Sequence, residues 1–183
     1  MKAIDHEVLL HALDWLEDAR PWLCTIVKTT GSSPRPVGSV VVITDDGRQV
    51  GSVSGGCVEE DLIQRLRTGE YTGKRPELID FGVSAEENER LVLPCGGRLL
   101  LLLQRLDGAD RPWIEGVLAA LDERRCVKRC LELATGRTTL EPASHFSALS
   151  LVEQHLRQSF GPRTRMLLVG AGQLAQTLAE LGL

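Results

Sequence analysis

Val40 to Thr68 reads VVVITDDGRQVGSVSGGCVEEDLIQRLRT, and the order of its three parts decides the fold class. Two runs of β-formers, Val40 to Thr44 and Gln49 to Val53, flank Asp45-Asp46-Gly47-Arg48, which is a hairpin signature. The second run enters Ser54-Gly55-Gly56-Cys57. From Val58 to about Thr68 the apolar positions Val58, Leu62, Ile63 and Leu66 then fall on one helical face, with Gly69 as a stop. A hairpin that passes through paired glycines straight into a helix predicts an α/β arrangement.

The flanks extend that reading. Upstream, Ile4, Val8, Leu9, Ala12, Leu13 and Leu16 recur at helical spacing, with Asp5 as amino cap and Pro21 as terminator. Trp22 to Thr30 is rich in β-formers, and Gly31-Ser32-Ser33-Pro34-Arg35-Pro36 breaks it. Downstream, Leu78 to Phe81 reads as a short strand and Ser84 to Arg90 as an acidic loop or single helical turn. Cys95-Gly96-Gly97 opens into Arg98-Leu99-Leu100-Leu101-Leu102-Leu103. Those five leucines lack alternation, so the strand is expected to be buried on both faces. A helix over Trp113 to Leu121 follows, then a hairpin of Val127 to Leu133 with Arg137 to Leu140, then a helix over Ala148 to Phe160. After Gly161-Pro162, Arg165 to Val169 reads as a strand, Gly170-Ala171-Gly172-Gln173-Leu174-Ala175 as a turn, and Leu174 to Leu181 as a helix.

The expected architecture is therefore α/β. A mixed sheet with flanking helices occupies residues 1–162, and residues 163–183 form the first strand, turn and helix of a truncated Rossmann-type domain. A lone strand and helix cannot bury their apolar faces, so the parent protein is expected to continue.

Composition removes several functions. With 43% hydrophobic residues the chain can bury a core, and 21 basic against 25 acidic residues leave a net charge of -4. No general attraction to nucleic acid or anionic lipid is expected, so any anion must be held locally. Acidic residues interrupt the first apolar positions, which argues against a signal peptide, and the longest apolar run, Leu99 to Leu103, is too short for a bilayer. Five scattered cysteines argue against a disulfide scaffold and for a reducing cytoplasm.

Two motifs carry chemistry: Ser54-Gly55-Gly56-Cys57 before a helix and Cys95-Gly96-Gly97 before a buried strand. Paired glycines let successive amides approach an anion, and a cysteine beside them reaches whatever the amides hold. Cys57 also lies at a helix start, where free amides favour a thiolate, whereas Glu59, Glu60 and Asp61 oppose it. Arg35, on a stiff loop between two prolines, is the nearest source of positive charge. The alternatives are small buried cysteines beside tight turns and a solvated loop arginine.

Gly31 to Ser39, then Gly51-Ser52-Val53-Ser54-Gly55-Gly56-Cys57-Val58-Glu59, then Cys95-Gly96-Gly97 resemble the three signature stretches of the XdhC/CoxI-type xanthine dehydrogenase accessory family. Met166 to Leu183 resembles the start of that family's Rossmann-type domain. The resemblance implies a cytoplasmic maturation chaperone rather than an enzyme. Its cargo would be the molybdenum cofactor (molybdopterin), protected during sulfuration by a cysteine desulfurase and delivered to a molybdenum hydroxylase apoenzyme such as xanthine dehydrogenase. A homodimer is a further candidate assembly. Such a cargo joins a phosphate and a pterin to a soft dithiolene-bound metal. The candidate contacts are Arg35, Ser54, Gly55, Gly56, Cys57, Cys95, Gly96 and Gly97, with Cys57 or Cys95 facing the molybdenum.

The rival readings are an NAD(P)-dependent oxidoreductase using Gly170 and Gly172 and a thiol-dependent enzyme using Cys57. The first needs the remainder of a Rossmann fold, and the second needs a positioned base.

Overall fold

The computed structural model describes residues 4–31, 33–83, 97–163 and 168–181. In chain order these form α1 (Ile4–Trp15), β1 (Trp22–Thr30), β2 (Val40–Ile43), β3 (Gln49–Gly51), α2 (Cys57–Arg67), β4 (Glu77–Phe81) and β5 (Arg98–Arg105). There follow α3 (Arg111–Asp122), β6 (Cys126–Glu132), β7 (Thr138–Ala143), β8 (Ser150–Val152), β9 (His155–Phe160) and α4 (Gln173–Leu181).

The strands make two sheets, β3-β2-β1-β5-β4 and β7-β6-β9-β8, and every pairing is antiparallel. The expected mixed sheet is thus corrected. A strand–helix–strand unit is present, since β3 and β4 run in the same direction with α2 between them. They lie on opposite edges with three strands separating them, so no parallel pair forms.

The first sheet is covered on both faces. On one, Val58, Leu62 and Leu66 of α2 pack with Trp22, Cys24 and Ile26 of β1 and with Leu99, Leu101 and Leu103 of β5. On the other, α1 and α3 meet Leu23, Val40 and Val42, together with Val127 and Phe160 of the second sheet. Val27 and Leu102 touch Leu131 and Leu156 there as well. Burial on both faces is why β5 lacks alternation.

Three local expectations change. The helix over Ala148 to Phe160 is instead the hairpin β8–β9. Leu149, Val152, Leu156 and Phe160 are spaced as a helix would need, but β9 pairs with β6, setting Val127 opposite Phe160 and Leu131 opposite Leu156. Pairing along an existing strand wins over an isolated helical pattern. Asp5 is not the cap of α1, since Ile4 is already helical and Asp5 sits in the first turn. Of the strand expected over Arg165 to Val169, Leu168 and Val169 are not in a strand, and the rest lies outside the described residues. Val169 is 90% exposed and Leu174 75%, so neither adds to the core. The helix α4 does form where it was expected.

Candidate functional site

Antiparallel order brings several loops to one end of the first sheet. Strands β1, β3 and β4 finish there, and β2 and β5 begin there. The Gly31–Ser39 loop, the Ser52–Gly56 turn and Gly97 therefore share this pole. Gly31 and Gly97 lie so close that a Cβ on Gly31 would be 3.4 Å from the Cα of Gly97. The Arg35 Nε donates to the Ser52 carbonyl at 3.3 Å, tying the first loop to the turn. Of the sequence-derived candidates, Arg35, Ser54, Gly55, Gly56, Cys57 and Gly97 are brought to this end. Cys95 and Gly96 lie outside the described residues.

The turn is filled from within. Glu59, 1% exposed, folds back from the first turn of α2. Its Oε1 accepts from the Ser52 hydroxyl at 2.8 Å, the Val53 amide at 2.7 Å and the Ser54 amide at 3.0 Å. Its Oε2 accepts from the Gly56 amide at 3.0 Å and from the Ser54 hydroxyl. The Gly55 amide donates to the Ser52 Oγ at 3.0 Å and the Val58 amide to the Ser54 Oγ at 3.1 Å. Burial alone would raise the Glu59 pKa. The hydroxyl and amide of Ser54, with the Ser52 hydroxyl and the Val53 amide, outweigh it and hold the carboxyl at about 2.

This arrangement alters the chemistry expected of the glycines. The amides of Gly55 and Gly56, read from sequence as donors for a bound anion, already serve Ser52, Ser54 and Glu59. What the turn presents outward is Cys57, exposed at the first position of α2. A cysteine of another kind lies below it. Cys24 is wholly buried, and burial, followed by the Glu59 charge, pushes its thiol far above the usual range. Arg35 uses Nε for Ser52, and the rest of its guanidinium has no hydrogen bond or ion pair among the described residues. Its charge, after the stronger one of Arg163, draws down an Asp5 carboxyl that burial raises overall. One end of the sheet thus carries both an exposed thiol and a half-buried cation.

Sequence reasoning treated Glu59 only as an opposing charge. The signal was nonetheless present, because a glutamate three residues beyond a cap position is the reciprocal half of a capping box. Gln158 was missed altogether. Its Nε2 donates to the Gly38 carbonyl at 3.0 Å and so fastens the Arg35 loop to the second sheet.

Residues 14–82, which hold the Arg35 loop and the Glu59-filled turn, match the XdhC and CoxI family. The chain is 30% identical over 163 residues to the molybdenum cofactor insertion chaperone PaoD of Escherichia coli (strain K12), a match covering 87% of this chain and 48% of that one. It is 48% identical over 183 residues to a protein of Bacillus subtilis (strain 168) named as a probable xanthine dehydrogenase component, covering 87% of this chain and 55% of that one. The chain thus spans about half the length of these relatives. A crystal structure of a Bacillus halodurans protein, named a xanthine dehydrogenase, superposes with a TM-score of 0.63 at 23% identity, over 88% of this chain and 53% of that one. That likeness is one of fold. Within the XdhC and CoxI segment lie the three features that define the pole: Arg35, the turn closed by Glu59, and Cys57. Among the described residues, no helix is long and apolar enough to cross a membrane.

Proposed function

We propose that this protein binds the molybdenum cofactor as cargo, shields it during sulfuration by a cysteine desulfurase, and passes it to a xanthine dehydrogenase-like molybdenum hydroxylase. The observation that carries this reading is an exposed Cys57 at the end of a turn that Glu59 closes from within and that Arg35 binds through the Ser52 carbonyl. The cargo has a soft metal centre and an anionic phosphate, and the pole has one group suited to each. The Cys57 sulfur is a soft ligand for a thiophilic metal. The Arg35 guanidinium is a planar donor set for a phosphate or for the carbonyl edge of a pterin.

The glycines take a different part from the one their amides first indicate. With those amides spent on Ser52, Ser54 and Glu59, Gly55 and Gly56 set the path of the backbone that presents Cys57. Gly97 leaves room for Gly31. Cys95 and Gly96 stay in the proposal as further candidate contacts. The protein acts without turnover of its own, in the cytoplasm. Residues 1–162 form the cargo-binding domain, and residues 163–183 open a Rossmann-type domain. The name of the PaoD relative supports the cargo, and the xanthine dehydrogenase name of the Bacillus subtilis relative supports the recipient. A thiol-dependent enzyme would need a base at Cys57, and among the described residues no histidine is hydrogen-bonded to it.

Delivery is the part of this reading that a reconstitution tests. The cofactor-loaded chain is mixed with a molybdenum hydroxylase apoenzyme, with free cofactor as the comparison. Faster recovery of hydroxylase activity from the loaded chain, slowed by Cys57→Ala, is expected. Equal recovery from free cofactor would overturn delivery.

A further inference from the structure

The opposite end of the first sheet, where β1 and β4 begin and β5 finishes, holds a cavity of about 320 Å3 that the cofactor reading does not use. One wall is the segment from Gly73 to Pro76, the other is the β6–β7 turn through Arg137 and Thr138, and Gln104 and Trp113 lie between them. The two walls approach each other at Gly136, where a Cβ would lie 3.5 Å from the Pro76 ring.

The charges around this cavity are unequal. Lys74, Arg75, Arg105 and Arg137 line it, against Asp107 and Asp110. Both carboxylates are already engaged. Asp107 pairs with Arg20 at 3.3 Å and accepts from the Ala109 amide. Asp110 accepts from Gln104 at 3.1 Å and from the Trp113 indole at 2.7 Å. Arg105 is partly compensated by Asp45 at 3.1 Å. Lys74, Arg75 and Arg137 have no ion pair among the described residues. Two lining residues also keep a buried polar atom without a protein partner, the Arg105 Nε and the Thr138 hydroxyl.

Three unpaired cations and two unspent hydrogen-bonding atoms around one concave space form an acceptor-seeking site. We propose that this cavity is a second ligand site, one that takes a small phosphate-bearing molecule between Arg75 and Arg137. Its size is at the lower end of small-molecule pockets, about 300–1,000 Å3, which favours a compact phosphorylated ligand over a protein segment. The ligand would bridge the first sheet's Gly73–Pro76 segment to the second sheet's turn, closing the two sheets at the end remote from Cys57.

Inorganic pyrophosphate, titrated calorimetrically into the purified chain at constant ionic strength, is the probe. Arg75 and Arg137 are exposed, so Arg75→Ala and Arg137→Ala leave the fold intact, and near-ultraviolet circular dichroism verifies that. Saturable binding of one pyrophosphate per chain is expected, weakened by about tenfold in each variant because each loses a charge-assisted hydrogen bond. An absence of saturable heat, or affinity unchanged in the Arg75→Ala/Arg137→Ala double variant, would overturn the proposal. Loss of binding in Arg35→Ala with full binding in the double variant would place the anion at the Cys57 pole and overturn it equally.

Discussion

Glu59 occupies the position that a bound anion would take at the start of α2, and the consequence is measurable. An ordinary glutamate titrates near 4.5, whereas Glu59 is held at about 2. The folded state therefore gains from its ionised form at every pH above 4.5, and the gain disappears as pH falls from 4.5 through 2. A shift of this size corresponds to about 3 kcal/mol. Glu59→Gln keeps the shape but turns an NH2 toward donors that need an acceptor. It is expected to lower the unfolding free energy by ~2–3 kcal/mol at neutral pH, by the same linkage and by orphaning a buried amide. Urea titrations of both proteins at pH 7 and near pH 2 test this, the difference between them shrinking in acid. A difference independent of pH would mean that packing, and not the carboxylate charge, holds the turn.

At the scale of elements, most of the fold is legible because periodicity and breakers agree over the segments concerned. The strand from Trp22 to Thr30, the hairpin around Asp45 to Arg48 and the helix after Cys57 all form where the residues predict them. The hairpin β8–β9 was not legible, since Leu149, Val152, Leu156 and Phe160 suit a helix equally well and only the pairing with β6 decides. The site divides in the same way. Arg35 and Cys57 stand out as residue types in context, while the occupation of the glycine amides depends on where one glutamate folds back. Glycine positions at the ends of β3 and its turn give a direct test of that geometry. Gly51 has φ +92°, and a Cβ there would lie 2.5 Å from the Val40 carbonyl oxygen and 2.6 Å from Val8. Gly55 has a similar φ, +95°, but nothing within 4 Å. Gly51→Ala is expected to cost ~2 kcal/mol or more and Gly55→Ala ~1 kcal/mol, the second reflecting backbone strain alone. Thermal midpoints rank the two, and equal losses would contradict the close packing of β3 on α1.

Across the whole molecule, the two sheets are joined by a buried polar network as well as by apolar side chains. Arg129 is fully buried, lies 4.4 Å over the Trp113 ring, and donates to the side-chain carbonyls of Gln104 and Gln158. Burial, opposed by Asp110, lowers its pKa to about 10. Gln158 in turn donates to the Gly38 carbonyl, 120 positions away in sequence, which is why no local pattern announces the link. Removing one partner from a buried charged network leaves the others unsatisfied, so Arg129→Ala is expected to cost ~3–5 kcal/mol. The near-ultraviolet signal of Trp113 should be lost in the same transition. Survival of wild-type stability in that variant would show that the sheets are held by apolar contacts alone. The same network braces the loop that carries Arg35, so the pole depends on the whole fold while its exposed groups do not support the fold in return. That asymmetry makes the central claim testable by one measurement, the molybdenum and pterin bound per chain, read beside the thermal midpoint. The Cys57→Ala variant should retain markedly less cofactor than wild type at an unchanged midpoint, because Cys57 is exposed and fills no part of the core. Full cofactor occupancy in Cys57→Ala and in Arg35→Ala, with both folds intact, would contradict the assignment of this pole as the cargo site.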